Sequence, residues 1–215
     1  MAVPYTKALA TLHRTFSGFA LGKRAYILGR FVSCPFLAVL DAIPAGASVL
    51  DIGAGNGAFA CLAAEFGARS VLALEPDLRK TLPSFRHPAV RFVAGFDDTV
   101  RGTFDVVTVI DVLYKFPVPE WDPLLARLRD HLIPGGTLLL KELDPEHRWK
   151  AAWNRVQEQV ANLVNLNLGR SLSYENRRQL AGRLGRLGYV DVRATDIGRG
   201  YPHAHILYSA HRPAA

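Results

Sequence analysis

Cysteine is scarce in this sequence: only Cys34 and Cys61 occur, without CxxC spacing or a histidine partner. A disulfide framework and a zinc ribbon are therefore excluded, and no Cys/His/carboxylate set has the spacing of a metal site. The pair reads as small apolar side chains buried in a protein of a reducing compartment, which points to the cytoplasm. Long apolar runs are missing as well, and nothing approaches the roughly 18 residues of a membrane span. The stretch from Phe16 to Leu21 is broken by Gly18 and followed by Gly22-Lys23-Arg24, which argues against a secretory signal. What remains is ordinary globular material, 49% hydrophobic and 21% charged over 215 residues. A chain of this length can bury roughly 70% of its unfolded surface without any covalent staple.

Acids are scarce at both ends. Residues 1–46 hold five Lys/Arg against Asp41 alone, a balance of +4. Residues 169–215 hold eight Arg against three acids, +5, while residues 47–168 carry 13 basic and 15 acidic side chains, −2. Basic flanks on a near-neutral middle suit an anionic partner: RNA, a lipid headgroup met peripherally, or a phosphorylated carrier. The arginine usage of a GC-rich genome accounts for the same excess.

The middle alternates short apolar runs with helical periodicity. Strands are expected at 48–52, 70–74, 90–94, 104–110 and 137–140. Helices are expected at 57–66 and at 121–132, the latter stopped by Pro134-Gly135-Gly136. Later come a helix of about 20 residues carrying the stripe Trp149, Trp153, Val156, Val160 and Leu163, and one over 174–187 capped by Ser173. Strands at 189–195 and 203–211 close the chain. Residues 1–43 read as two helices split near Gly18 to Gly22. Strands alternating with helices at this spacing make an α/β protein with a parallel sheet covered on both faces.

The strongest local signal is Asp51-Ile52-Gly53-Ala54-Gly55-Asn56-Gly57 at the end of the first strand. Its glycines let the backbone turn tightly and approach a ligand at a helix N-terminus. Gly53, Gly55 and Ala58 also satisfy a dinucleotide pattern. Glu75 ends the next strand, where a carboxylate can accept both ribose hydroxyls of either a nicotinamide or an adenosyl cofactor. Phe104-Asp105-Val106-Val107, ending at Asp111, and then Leu132-Ile133-Pro134-Gly135-Gly136, decide between these. With them the chain resembles the class I S-adenosylmethionine-dependent methyltransferases from about residue 45 to 211.

That resemblance implies a Rossmann-like seven-stranded methyltransferase sheet with an antiparallel last strand, S-adenosyl-L-methionine as cofactor and S-adenosyl-L-homocysteine as product. It implies residues 1–44 as an N-terminal helical lid and 45–215 as the cofactor-binding domain. The methionine moiety is expected over Asp51, Gly53, Ala54, Gly55 and Gly57, with Asp51 on its amino group. Glu75 is expected on the ribose, and Pro76 beside the adenine. The family's usual acid after strand three is replaced by Phe96, which leaves Asp97 or Asp98 to face the adenine amine. Asp111 and Val112 close strand four beside the methyl group. The trio Tyr201-Pro202-His203, with Lys141-Glu142-Leu143-Asp144 and Trp149, is similar to an uncharacterised bacterial branch.

In such a fold the start of the last strand meets the ends of strands four and five. Asp111, Tyr114, Lys115, Lys141, Glu142, Asp144, Tyr201, His203 and His205 would then rim one cleft. Lys141 interrupts an apolar strand; it either pairs with Glu142 or Asp111, orients an anionic substrate, or serves as a base. His203 has the more natural pKa for a base, and Tyr26 and Arg30 share a helix face that can reach an acidic acceptor. The expected reaction is methyl transfer to oxygen or activated carbon of a small or carrier-tethered, anionic or amphipathic molecule. The alternative is an RNA 2′-O-methyltransferase using the basic flanks. Asp111 and Lys141 match two members of the Lys-Asp-Lys-Glu tetrad, while Ala204-His205 stands where its final Glu belongs.

Overall fold

The computed structural model describes residues 3–81, 87–144 and 175–214. Seven strands form one sheet in the order β3-β2-β1-β4-β5-β7-β6. They are β1 (Ser48–Ile52), β2 (Ser70–Leu74), β3 (Val90–Val93), β4 (Phe104–Ile110), β5 (Leu132–Leu143), β6 (Val190–Asp196) and β7 (His205–His211). The first five pair in parallel, and β7 runs antiparallel between β5 and β6. β-branched and leucine-rich strands buried on both faces are what a parallel sheet requires.

The period of two along each strand divides the core. Val49, Val106, Leu139 and Leu207 face α1 (Tyr5–Thr15), α2 (Leu21–Ser33), α3 (Phe36–Leu40) and α4 (Ala58–Glu65). Leu50, Val107, Leu138, Leu140 and Ile206 face α5 (Trp121–Asp130) and α6 (Arg177–Arg186). Leu12, Ile27, Phe31 and Val39 are buried in the same cluster as the sheet residues, so the N-terminal helices share the sheet's own core. They cover the face of the sheet rather than forming a separately cored unit.

Several local expectations are corrected. The N-terminal segment folds as three helices, because Pro35 breaks the chain after Ser33 and α3 follows. Helix α5 ends at Asp130; Pro134-Gly135-Gly136 lies within the irregular start of β5, where Phe104 pairs with Leu132 but Val106 with Thr137. The cap of α6 is Asn176, in a reciprocal box with Gln179 (2.9 and 3.0 Å), so this helix starts later than periodicity suggests. Ser173 and the Trp149–Leu163 stripe fall outside the described residues. β7 begins at His205, which leaves His203 in the turn before it.

Candidate active site

Asp51 points to the α1–α4 side of the sheet, in register with Thr108 of β4. It is 2% exposed, and its Oδ1 accepts from Thr108 Oγ1 at 2.8 Å. Its Oδ2 has no partner among the described residues. Burial, assisted by the charge of Glu75 and opposed by the Thr108 bond, pushes the carboxyl up to about 7. The glycine loop beside it is fixed by close approach. A Cβ on Gly53 would lie 2.6 Å from Val112 Cγ2, and one on Gly57 2.3 Å from Phe92 Cζ, both at positive φ. Gly55, by contrast, opens onto clear space.

Glu75 flanks the other side of the loop. Gly55 N–H donates to its Oε2 at 2.9 Å; Asp77 N–H (3.1 Å) and Lys80 Nζ (2.7 Å) donate to its Oε1. A carboxylate offers about four acceptor positions, so Oε2 retains one. These features fit S-adenosylmethionine: a bare buried carboxylate oxygen suits a cationic amino group, and the open Gly55 and Glu75 suit a ribose. Pro76, exposed, follows Glu75. Phe96 stacks at a tilt on Phe116 with centroids 5.3 Å apart. The expectation for Asp97 is corrected, because its buried carboxylate is ion-paired with Arg127 on α5. Of the two adenine candidates, Asp98 alone keeps an exposed side chain.

At the end of β4, Asp111 takes a left-handed backbone (φ 56°), unusual outside glycine and a mark of a constrained site. Its Oδ1 lies 2.5 Å from Lys141 Nζ, and its Oδ2 lies 2.9 Å from Arg30 Nη2 and 3.7 Å from Cys34 Sγ. Burial alone would raise this carboxyl, but Lys141 and Arg30 outweigh it and hold the group well below the usual range. Burial pushes the Cys34 thiol up to about 12, so it stays neutral. His205 Nε2 is 3.1 Å from the Ser33 carbonyl. Only an N–H can bond that acceptor, so Nδ1 is the bare nitrogen, and it has no partner among the described residues. Burial and then Lys141 pull this imidazole down to about 3.

The anticipated single rim is split by the sheet. Lys141 and His205 share the α1–α4 face with Asp111, Arg30 and Cys34. Glu142 pairs in register with Ile206 and faces the other way. There its Oε1 accepts from Val112 N–H (3.2 Å) and Leu113 N–H (2.8 Å), and burial pushes it up to about 8. Lys141 is wholly buried instead of lining a cleft. Tyr201 and His203 meet the His205 ring edge-on at 5.8 and 6.0 Å. Lys115 Nζ lies 5.5 Å from the Tyr114 ring, and Tyr26 is 63% exposed on α2. Sequence reasoning missed Cys34 and Thr108. A threonine at a core-facing strand position was a readable signal; Cys34, placed from 77 residues away, offered none.

Residues 25–194 match the model of a methyltransferase domain family. Demethylspheroidene O-methyltransferase of Rhodobacter capsulatus is 35% identical over 105 residues, 44% of this chain and 25% of that protein. The methyltransferase pytC of Aspergillus terreus is 33% identical over 110 residues, 50% of this chain and 33% of its own length. The chain thus aligns with no more than a third of these curated relatives. Among solved structures, Burkholderia thailandensis 1,6-didemethyltoxoflavin-N1-methyltransferase, with bound 1,6-didemethyltoxoflavin and S-adenosylhomocysteine, superposes with a TM-score of 0.63. It is 19% identical, over 99% of this chain and 92% of that one. Human N-acetylserotonin methyltransferase in complex with S-adenosylmethionine gives a TM-score of 0.66 at 18% identity, over 99% of this chain and 61% of its own. Sheet order, the acid-flanked glycine loop and the matched domain model agree: the chain belongs to the class I S-adenosylmethionine-dependent methyltransferases.

Proposed function

We propose that this protein methylates a small-molecule acceptor, at oxygen or an activated carbon, using S-adenosylmethionine. The observation that carries the reading is the pair of buried carboxylates, Asp51 and Glu75, on either side of a glycine loop that closes against Val112. The O-methyltransferase name of the Rhodobacter capsulatus relative supports an oxygen acceptor. The bound cofactor supplies an electrophilic methyl group on a sulfonium.

This chain's residues hold and align. Asp51 binds the amino group and Glu75 the ribose, while Asp98 and Pro76 are assigned to the adenine side. Val112 forms one wall of the loop, and Asp111, locked by two cations, fixes the end of β4 beside it. Arg30, Tyr26, Tyr114, Lys115, Tyr201, His203 and His205 are assigned to the acceptor. Lys141 acts as a fixed charge that positions Asp111, since a wholly buried ammonium already held by a carboxylate is a poor base. Residues 3–44 cover the acceptor side of the sheet.

Calorimetry tests the reading directly. S-adenosylhomocysteine should bind in the micromolar range, and Glu75→Ala should weaken it about tenfold. NADH binding without any heat from S-adenosylhomocysteine would refute it. The basic flanks keep an RNA acceptor in view; steep loss of structured-RNA binding between low and physiological salt would favour it, and flat weak binding the small molecule.

A further inference from the structure

The charges around Asp111 do not balance. Arg30 and Lys141 share one carboxylate. Cys34 and His205 are neutral, and burial holds the Tyr114 phenol neutral as well. Lys115 adds a further cation at the rim. Even without exposed Lys115, one positive charge is left over in a largely buried cluster, which is costly unless a ligand anion offsets it.

Arg30 is the group placed to meet that ligand. Its side chain is 33% exposed where that of Lys141 is 0%. Only Nη2 is engaged, so Nε and Nη1 keep donors with no partner among the described residues. A planar guanidinium with two such donors matches a carboxylate or a delocalised oxyanion. Val112, next to Asp111, forms the wall of the glycine loop, so the cluster borders the cofactor site.

On the methyl-transfer reading above, we infer that the acceptor enters as an oxyanion, a carboxylate, phenolate or enolate held by Arg30, and not as an amine. An ionised oxygen brings its own electron pair. Forming the oxygen–methyl bond as the carbon–sulfur bond breaks cancels one negative charge on the acceptor and one positive charge on the donor, and no proton has to leave. That economy suits this cluster, because His205 is held near 3 and Asp111 well below its usual range. Neither takes up a proton at neutral pH. An amine would arrive protonated, meet the surplus cation, and need a base.

The test is calorimetry on the full chain saturated with S-adenosylhomocysteine, using benzoate, benzamide and benzylamine as probes of one shape and three charges. Benzoate should bind about tenfold more tightly than benzamide, benzylamine should give no heat, and Arg30→Gln should remove the benzoate preference. No heat from benzoate, or benzamide binding equally well, overturns the inference. Because Arg30→Gln removes a partner from buried Asp111, the three-probe comparison on the unaltered protein decides if that variant fails to fold. The preceding S-adenosylhomocysteine titration separates the two conclusions: its failure refutes methyl transfer, whereas its success without a benzoate preference refutes only the oxyanion.

Discussion

Lys141, wholly buried in β5, holds its ammonium 2.5 Å from a carboxylate oxygen of Asp111, one residue past the end of β4. The ion pair closes the gap between the two strands where the sheet meets the candidate site. Lys141→Met keeps the aliphatic stem and leaves Asp111 to Arg30 alone. Breaking a buried pair from one side costs about 3 kcal/mol, the lower end of the scale because a second cation remains. Asparagine tolerates the left-handed backbone at 111 and carries no charge. Asp111→Asn alone strands two cations, so the double variant with Lys141→Met should lose less than the sum of the two single losses in denaturant unfolding. Purely additive losses would refute the coupling.

Glu142 gives a pH signature on the opposite face. Its folded carboxyl titrates near 8, against about 4.5 unfolded. The folded state therefore keeps a proton that the unfolded state releases, and stability falls as pH rises from about 4.5 to 8. Glu142→Gln keeps the acceptor for the Val112 and Leu113 amides and removes the titration. Its stability relative to the parent should grow across that window, as read by thermal unfolding at pH 5, 7 and 9. Glu142→Ala also removes the titration but strands two buried amides, so it should lie about 1–3 kcal/mol below Glu142→Gln at every pH.

Much of this was legible in the chain. Apolar runs of five to seven residues punctuated by glycine determine β1, β2 and β4, and the alternation along them assigns each residue a face. The placing of Asp51 and Glu75 beside the glycine loop was readable because each carboxylate ends an apolar strand there. The division of Lys141 from Glu142 was also present in the parity of β5, but judging which face the acceptor uses requires knowing where the N-terminal helices pack. Asp97 shows the limit: its partner Arg127 is 30 residues away on α5, and only the packing of that helix brings the guanidinium to it.

The glycine loop allows a steric cycle. Gly53→Ala would place a Cβ 2.6 Å from Val112 Cγ2 and also force alanine into φ 71°, a backbone penalty of about 1–2 kcal/mol. Val112→Ala removes the clash but not the backbone strain. The double variant should therefore regain some of the S-adenosylhomocysteine affinity lost in Gly53→Ala, with a deficit of about tenfold remaining. Full recovery would mean that the left-handed turn is dispensable.

With Asp51 on the cofactor's amino group, as proposed, cofactor binding should be linked to protons. In the free protein burial holds its carboxyl near 7, with Oδ2 unpartnered, so at pH 6 most molecules carry the proton there. A cationic amino group placed against that oxygen favours the ionised form and lowers its pKa. Binding at pH 6 must then expel close to one proton, whereas at pH 8 the carboxylate is already ionised and almost none is released. By linkage, affinity should rise with pH up to about 7 and level off above it. Titrations of S-adenosylhomocysteine in two buffers of unlike ionisation enthalpy count the protons directly. Asp51→Asn should abolish the release and flatten the profile, and it should weaken binding because a neutral amide replaces a carboxylate opposite a cation. Adenosine, which shares the ribose and base but has no amino acid moiety, should bind without releasing a proton in either buffer. A proton released by adenosine would move the titrating group away from Asp51 and toward the ribose side, at Glu75.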